Sequence, residues 1–148
     1  MPWDEPLLEV VAYGTPAPQG SKRHVGKGRM VESSKKVGPW RETVKYAALE
    51  VLPEGWVPLD QPVAVQMVFT LARPISAPRR RVYPDRTPDL SKLVRSTEDA
   101  LTDAGVWVDD ARAVEFLVRK LYTGSPHPDV QRTAGVVVRI WSLGGDVR

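Results

Sequence analysis

Three aspartates, Asp89, Asp109 and Asp110, bracket one apolar-periodic run in the stretch PDLSKLVRSTEDALTDAGVWVDDARAVE. Carboxylates at such positions can hold a hard divalent cation, which takes oxygen ligands and leaves room for water and phosphate oxygens. A cation held this way serves phosphodiester hydrolysis, because it generates hydroxide near neutrality and neutralises charge on the phosphorus oxygens. Asp89 and Asp110 are the leading candidates. Asp109 is the alternative to its neighbour, since successive side chains of an extended chain point to opposite faces. The bland reading is that all three are helix caps or solvated charges.

Charge distribution accommodates the first reading as well as simple solvated loops. The net charge is only +3, but residues 20–45 and 73–95 hold most of the 21 Lys and Arg, while carboxylates gather in 98–115. A basic surround with an acidic focus suits a polyanion gathered by cations and held at a metal. Lys22, Arg23, Lys27, Arg29, Lys35 and Lys36 stand in one basic loop, about 20–38. Arg79, Arg80, Arg81 and Arg86 stand in a second, about 73–88, with Lys92 just beyond it. Arg79-Arg80-Arg81 resists burial and faces solvent or a phosphate backbone. Other chemistries fare worse. There is no cysteine, which excludes disulfides and thiolate metal sites and fits a reducing cytoplasm. His24 and His127 fall in loops with no serine or threonine at a recognisable spacing, and the GKG at 26–28 lacks the pattern of a phosphate loop. No apolar run approaches a membrane span, and the acidic MPWDEPLLEVV reads as no targeting segment.

The elements that must position these residues follow from pattern. Residues 7–13 read as a strand ended by Gly14, and 62–71 as a central strand apolar on both faces. Pro39 opens a helix over about 40–52, with Trp40, Val44, Ala47, Ala48 and Val51 on its apolar side. Asp89 is placed as N-cap of a second helix whose buried face is Leu90, Leu93, Val94, Thr97, Leu101 and Ala104. Ser91, Arg95, Glu98 and Thr102 form a stripe beside that face, with Lys92, Ser96 and Asp99 the next stripe round. Gly105 is the C-terminal cap. Residues 113–122 and 135–141 are two further strands, and 143–148 a flexible tail. The order β-α-β-α-β-β predicts a single α+β domain over 1–148: a mixed sheet of four to five strands with two main helices on one face.

The same run resembles the RusA family of Holliday junction resolvases, common in phages and prophages. The family's D-L-D-x-L-x-K stretch, its D-A-L, and its hydrophobic-aromatic turn into D-D-A-x-V find counterparts in residues 88–115. GTPAPQGSKR, MVESSKK and PWRETVKYAA are similar to the family's N-terminal half, so the likeness covers nearly the whole chain. It implies that Asp89 is the first catalytic aspartate and Asp110 the last, both ligating Mg2+ or Mn2+. It implies a homodimer acting on branched DNA, with the basic loops tracking the arms of a four-way junction, and neither a membrane nor a small-molecule substrate. The family's second aspartate falls on Ser91, a weaker ligand. Its catalytic lysine falls on Arg95, which can bridge a phosphate but cannot donate a proton as lysine can. Glu98, on the Ser91 stripe and leaning back toward the helix N-terminus, is a candidate replacement ligand; an ion pair with Arg95 is the other reading. Two functions stay open on these residues: a metal-dependent nuclease for branched DNA, or a binding protein that has lost its metal through Ser91. Contact of the basic loops with RNA or a protein is a third.

Overall fold

The computed structural model describes residues 4–20, 22–24, 30–32 and 35–144. In chain order these form β1 (Leu8–Tyr13), β2 (Lys22–His24), β3 (Met30–Glu32), α1 (Val37–Val51), β4 (Val63–Leu71), α2 (Leu90–Asp103), a 3-10 turn (Asp110–Arg112), β5 (Ala113–Tyr122) and β6 (Gly135–Ser142). Four strands make one sheet in the order β1-β6-β4-β5. β6 is antiparallel to both β1 and β4, whereas β5 lies parallel to β4. The chain is a single α+β unit with a mixed sheet, as its pattern predicts.

Parallel neighbours require a crossover, and α2 is that crossover between β4 and β5. This fixes the geometry of the acidic residues. α2 starts beside the C-terminal end of β4 and runs back toward the N-terminal end of β5. Asp89 and Asp110 therefore belong to opposite ends of the same helix. Alternate residues of the strands (Val10 of β1, Met67 of β4, Val138 of β6) form one core with Trp40, Val44 and Ala48 of α1 and Leu93, Ala100 and Leu101 of α2. The Trp40 indole donates to Thr97 Oγ1 at 3.2 Å and locks the two helices together. On the opposite face of the sheet, Arg139 pairs bidentately with Asp129 at 2.7 and 2.8 Å and also donates to Glu9 and Gln66.

Several expectations need correction. The stretch read as a long loop contains the β2–β3 hairpin, whose three pairs of residues are too few to show a period. α1 begins at Val37, three residues early, and Val51 is exposed instead of packed. Ser96, assigned to a polar stripe, is fully buried. Its hydroxyl donates to Ala17 O at 2.7 Å, and Gln19 N donates to Lys92 O, because the segment after β1 covers that side of α2. Helical periodicity identifies one buried face; only the tertiary fold adds the second.

Candidate active site

The acidic pair is turned back toward α2 by a local signal. Gly105, at φ +80°, closes the helix: its N–H donates to Thr102 O and that of Val106 to Leu101 O, the two bonds of a Schellman cap. Val106 and Leu101 are both fully buried, which supplies the hydrophobic contact of that motif. Trp107 follows, 1 % exposed, donating from its indole to Thr102 Oγ1 at 2.7 Å. Leu59 and residues 106 and 108 exchange backbone hydrogen bonds at 2.9 Å. The chain thus reaches Asp109 on a rigid path.

There the two aspartates part. Asp109 caps the 3-10 turn, its Oδ1 accepting from Ala111 N at 2.8 Å. Asp110 is half-buried, and its carboxyl is pushed above the usual range. Burial is the main cause, followed by a hydrogen bond and charge repulsion with Asp109 and the charge of Asp99; Arg95 pulls the other way. Glu98, half-buried on the facing side of α2, is pushed up to about 7, first by burial and then by the charges of Asp110 and Asp99. The Arg95 guanidinium, largely exposed, approaches Asp99 Oδ1 at 3.8 Å and offsets only part of this. A cavity of about 270 Å3 opens here, bounded by Asp99, Asp103, Asp109, Asp110, Thr102 and Arg41. Arg41 of α1 closes one side by pairing with Asp103 at 2.9 Å.

Asp89 holds the N-cap position of α2 but makes no capping hydrogen bond. Its exposed carboxylate has Lys92 Nζ at 4.0 Å. At 1.5 Å per residue it lies roughly 15 Å along the helix from Asp99. Ser91 is exposed within the first turn. The structure thus brings Glu98, Asp99 and Arg95 to Asp110 and leaves Asp89 and Ser91 at the far end. Among the described residues, no three His, Asp or Glu side chains form a ready-made metal cage.

A family-wide sequence model described as Endodeoxyribonuclease RusA matches residues 13–131. The chain belongs to the RusA family. That membership makes it an endodeoxyribonuclease of the kind selective for branched DNA, a Holliday junction resolvase by family. No individual curated protein matches the chain. For a RusA enzyme the donor set fits a hard cation that keeps its water: oxygen ligands only, with the Glu98 carboxyl raised first by burial and then by the charges of Asp110 and Asp99, the second of which a divalent ion would offset.

Other residues that a RusA enzyme would use divide by burial. Arg79 and Arg80 are exposed, as are Arg86, Lys92, Lys35 and Lys36, the last at the N-cap of α1. Arg81 departs from the expected exposed triplet: its side chain is 22 % exposed, and its carbonyl accepts from Arg73. Lys22 and Arg23 have backbones in β2, while Lys27 and Arg29 lie outside the described residues. His127 serves a turn, its Nδ1 accepting from Asp129 N at 3.0 Å. Three residues that pattern reading passed over matter here. Asp99, placed by spacing in the stripe with Lys92 and Ser96, and Arg41 both line the acidic cavity. Lys120 donates to Arg86 O and Pro88 O at 2.8 and 2.7 Å, so it fixes the entry to Asp89 from β5. A lysine on the helix-facing side of a strand was the available signal. No described helix is long and apolar enough to cross a membrane.

Proposed function

We propose that this RusA-family chain is a Mg2+-dependent nuclease, with Mn2+ as substitute, that resolves four-way junctions as a homodimer. The observation that carries the reading is the half-buried Glu98–Asp110 arrangement beside Arg95, within a family match that spans the site. When bound, the metal supplies a hydroxide nucleophile and neutralises the scissile phosphate. Asp110 and Glu98 would hold it, Glu98 supplying a carboxylate in place of the aspartate replaced by Ser91. Asp109 orients Asp110 by holding the turn. Arg95 reaches from an exposed position to bridge the phosphate and stays charged throughout. Asp89 and the Ser91 hydroxyl, both exposed at the other end of α2, would act on DNA and on a metal carried by its phosphates rather than at the Glu98–Asp110 end. Arg79, Arg80, Arg86, Lys92 and the basic hairpin loop grip backbone phosphates and set register. Two such sites related by a two-fold axis match the symmetry of a four-way junction. The protein works in the cytoplasm of a bacterial cell, infected or not.

The test is cleavage of a synthetic four-way junction with Mg2+ or Mn2+, by the native chain and by Asp110→Asn. Paired nicks that require both the ion and Asp110 support the reading. Ser91 and the missing third carboxylate favour one competitor, a junction-binding protein without catalysis. Tight binding with no nicks in either ion, restored by Ser91→Asp, would establish that competitor instead.

A further inference from the structure

At the end of the sheet where α2 begins, the ends of β4 and β5 meet the segments flanking β1 and β6 around a second cavity of about 280 Å3. Pro16, Leu71, Pro84, Pro88 and Tyr122 contribute apolar walls, and Arg81 and Arg86 also line it. Pro88 immediately precedes Asp89, and Lys120 pins its carbonyl. Tyr122 is 6 % exposed, with the Arg73 guanidinium 5.4 Å from its ring centre. Arg73 also donates to Pro78 O at 2.6 Å, so the arginine-rich loop that forms one wall is tied to the sheet. The acidic cavity described above has one apolar side chain in its lining, Val108.

We propose that this cavity receives one unstacked nucleobase of the DNA at the branch point and thereby fixes which phosphate is presented to the active site. The inference rests on the branched-DNA reading. Size and chemistry point to a base. The volume is at the small end for ligand pockets, which suits a single ring system. Apolar and aromatic walls accept the π face of any base. Thr15, Ser76 and Thr87, also in the lining, carry hydroxyls able to read an edge. Charge favours a nucleotide over an apolar ligand, because Arg86, 62 % exposed and paired with the similarly exposed Asp85 at 2.9 Å, can exchange that surface pair for a flanking phosphate. Pulling a base from a stack costs least where pairing is already interrupted, and a branch point is such a place. A base lodged beside Pro88 sets the phosphate register relative to Asp89, so the pocket would confer a sequence preference on a structure-selective enzyme.

Four-way junctions carrying 2-aminopurine at successive positions around the crossover test this without metal, through fluorescence on binding. The same junctions are assayed for nicking with Mg2+. The expected result is a change at least about twofold at one position only, with Ala72→Leu and Ala134→Leu, which fill the cavity from two sides, each abolishing it. Junction affinity should fall about tenfold in these variants, the scale of removing one base stack, and the distribution of cut sites should broaden. Nicking by the native chain with no fluorescence change at any position would overturn the pocket and leave the nuclease reading standing. Retention of the full signal in both variants would overturn it as well. A native chain that neither binds nor cuts junctions would remove both readings together.

Discussion

The two ends of α2 are built from opposite materials. At its N-terminus Asp89 is exposed and uncapped, with Lys92 beside it, an arginine-bearing loop before it and an apolar cavity behind it. At its C-terminal half Asp99 and Asp110 line an acidic cavity with half-buried Glu98 close by, and the carboxyls of Glu98 and Asp110 are pushed above their usual range. One helix thus separates a surface suited to gripping DNA from a pocket suited to holding a cation. The βαβ crossover enforces that separation, because a helix between two parallel strands must run the length of the sheet. An exposed carboxylate in high dielectric loses little by standing alone. A half-buried cluster of like charges is unfavourable until an opposite charge joins it.

The strongest way to break this comparison is to remove one carboxylate from each end. Asp110→Asn should lower metal-dependent junction cleavage by roughly a hundredfold or more, the scale of removing an electrostatic partner from a transition state, with junction affinity kept or raised. Asp89→Asn should lower cleavage comparably but leave Mn2+ binding to the free protein, read by calorimetry, close to native. Equal loss of metal affinity in both variants would mean that the two ends form one site before DNA arrives.

The next largest effect concerns the gripping end. Arg79→Gln with Arg80→Gln should weaken junction binding and reduce the slope of log affinity against log salt by roughly two, about one for each phosphate that is no longer neutralised. An unchanged slope would exclude this pair from the phosphate grip. Arg81 is omitted because its burial makes it part of the wall of the apolar cavity.

How much of this division was legible in the chain depends on range. The N-cap position of Asp89, the apolar face through Leu93, Thr97 and Leu101, and the glycine cap at Gly105 are local features, so spacing sufficed to find them. The family likeness likewise named Asp89 and Asp110. Ser96 was not legible as buried, because its partner Ala17 lies 79 residues away. Nor was the capping role of Asp109, which depends on the 3-10 turn it opens. Asp99 escaped notice for a related reason: its position on the helix is local, but the carboxylate it faces arrives through the turn after Gly105. Glu98 was found from its stripe, and burial adds what the stripe lacked, a proton affinity raised by its surroundings.

Glu98 gives a smaller effect, in stability. Its carboxyl shifts from 4.5 to about 7 on folding, so between those values the folded chain holds a proton that the unfolded chain releases. Stability from this group is fully present below pH 4.5 and is lost as pH rises through 7. Asp110 adds in the same direction, whereas Asp129, held low by Arg139, acts only in acid as its pairing is lost. Thermal melts of the metal-free protein should therefore show a midpoint that falls from about pH 5 to about pH 8, and Glu98→Gln should flatten that fall. Mn2+ at about pH 7.5 should raise the native midpoint more than that of Glu98→Gln. Identical pH profiles for the two proteins would place Glu98 in ordinary solvent, and equal Mn2+ shifts would remove it as a ligand.

Gly105→Ala should produce the smallest change, and it separates scaffold from site. No atom lies within 4 Å of an added Cβ, so the cost is conformational: a side chain at φ +80° in the left-handed region. About 1 kcal/mol of stability should go, or roughly 3 °C in a chain of this size. Because Gly105 steers the chain toward Asp110 and touches nothing at the Asp89 end, any functional loss should fall on Mn2+ affinity and cleavage while the salt slope of junction binding stays native. Weakened junction grip at unchanged metal affinity would contradict the division, since the turn would then be shaping the wrong end of the helix.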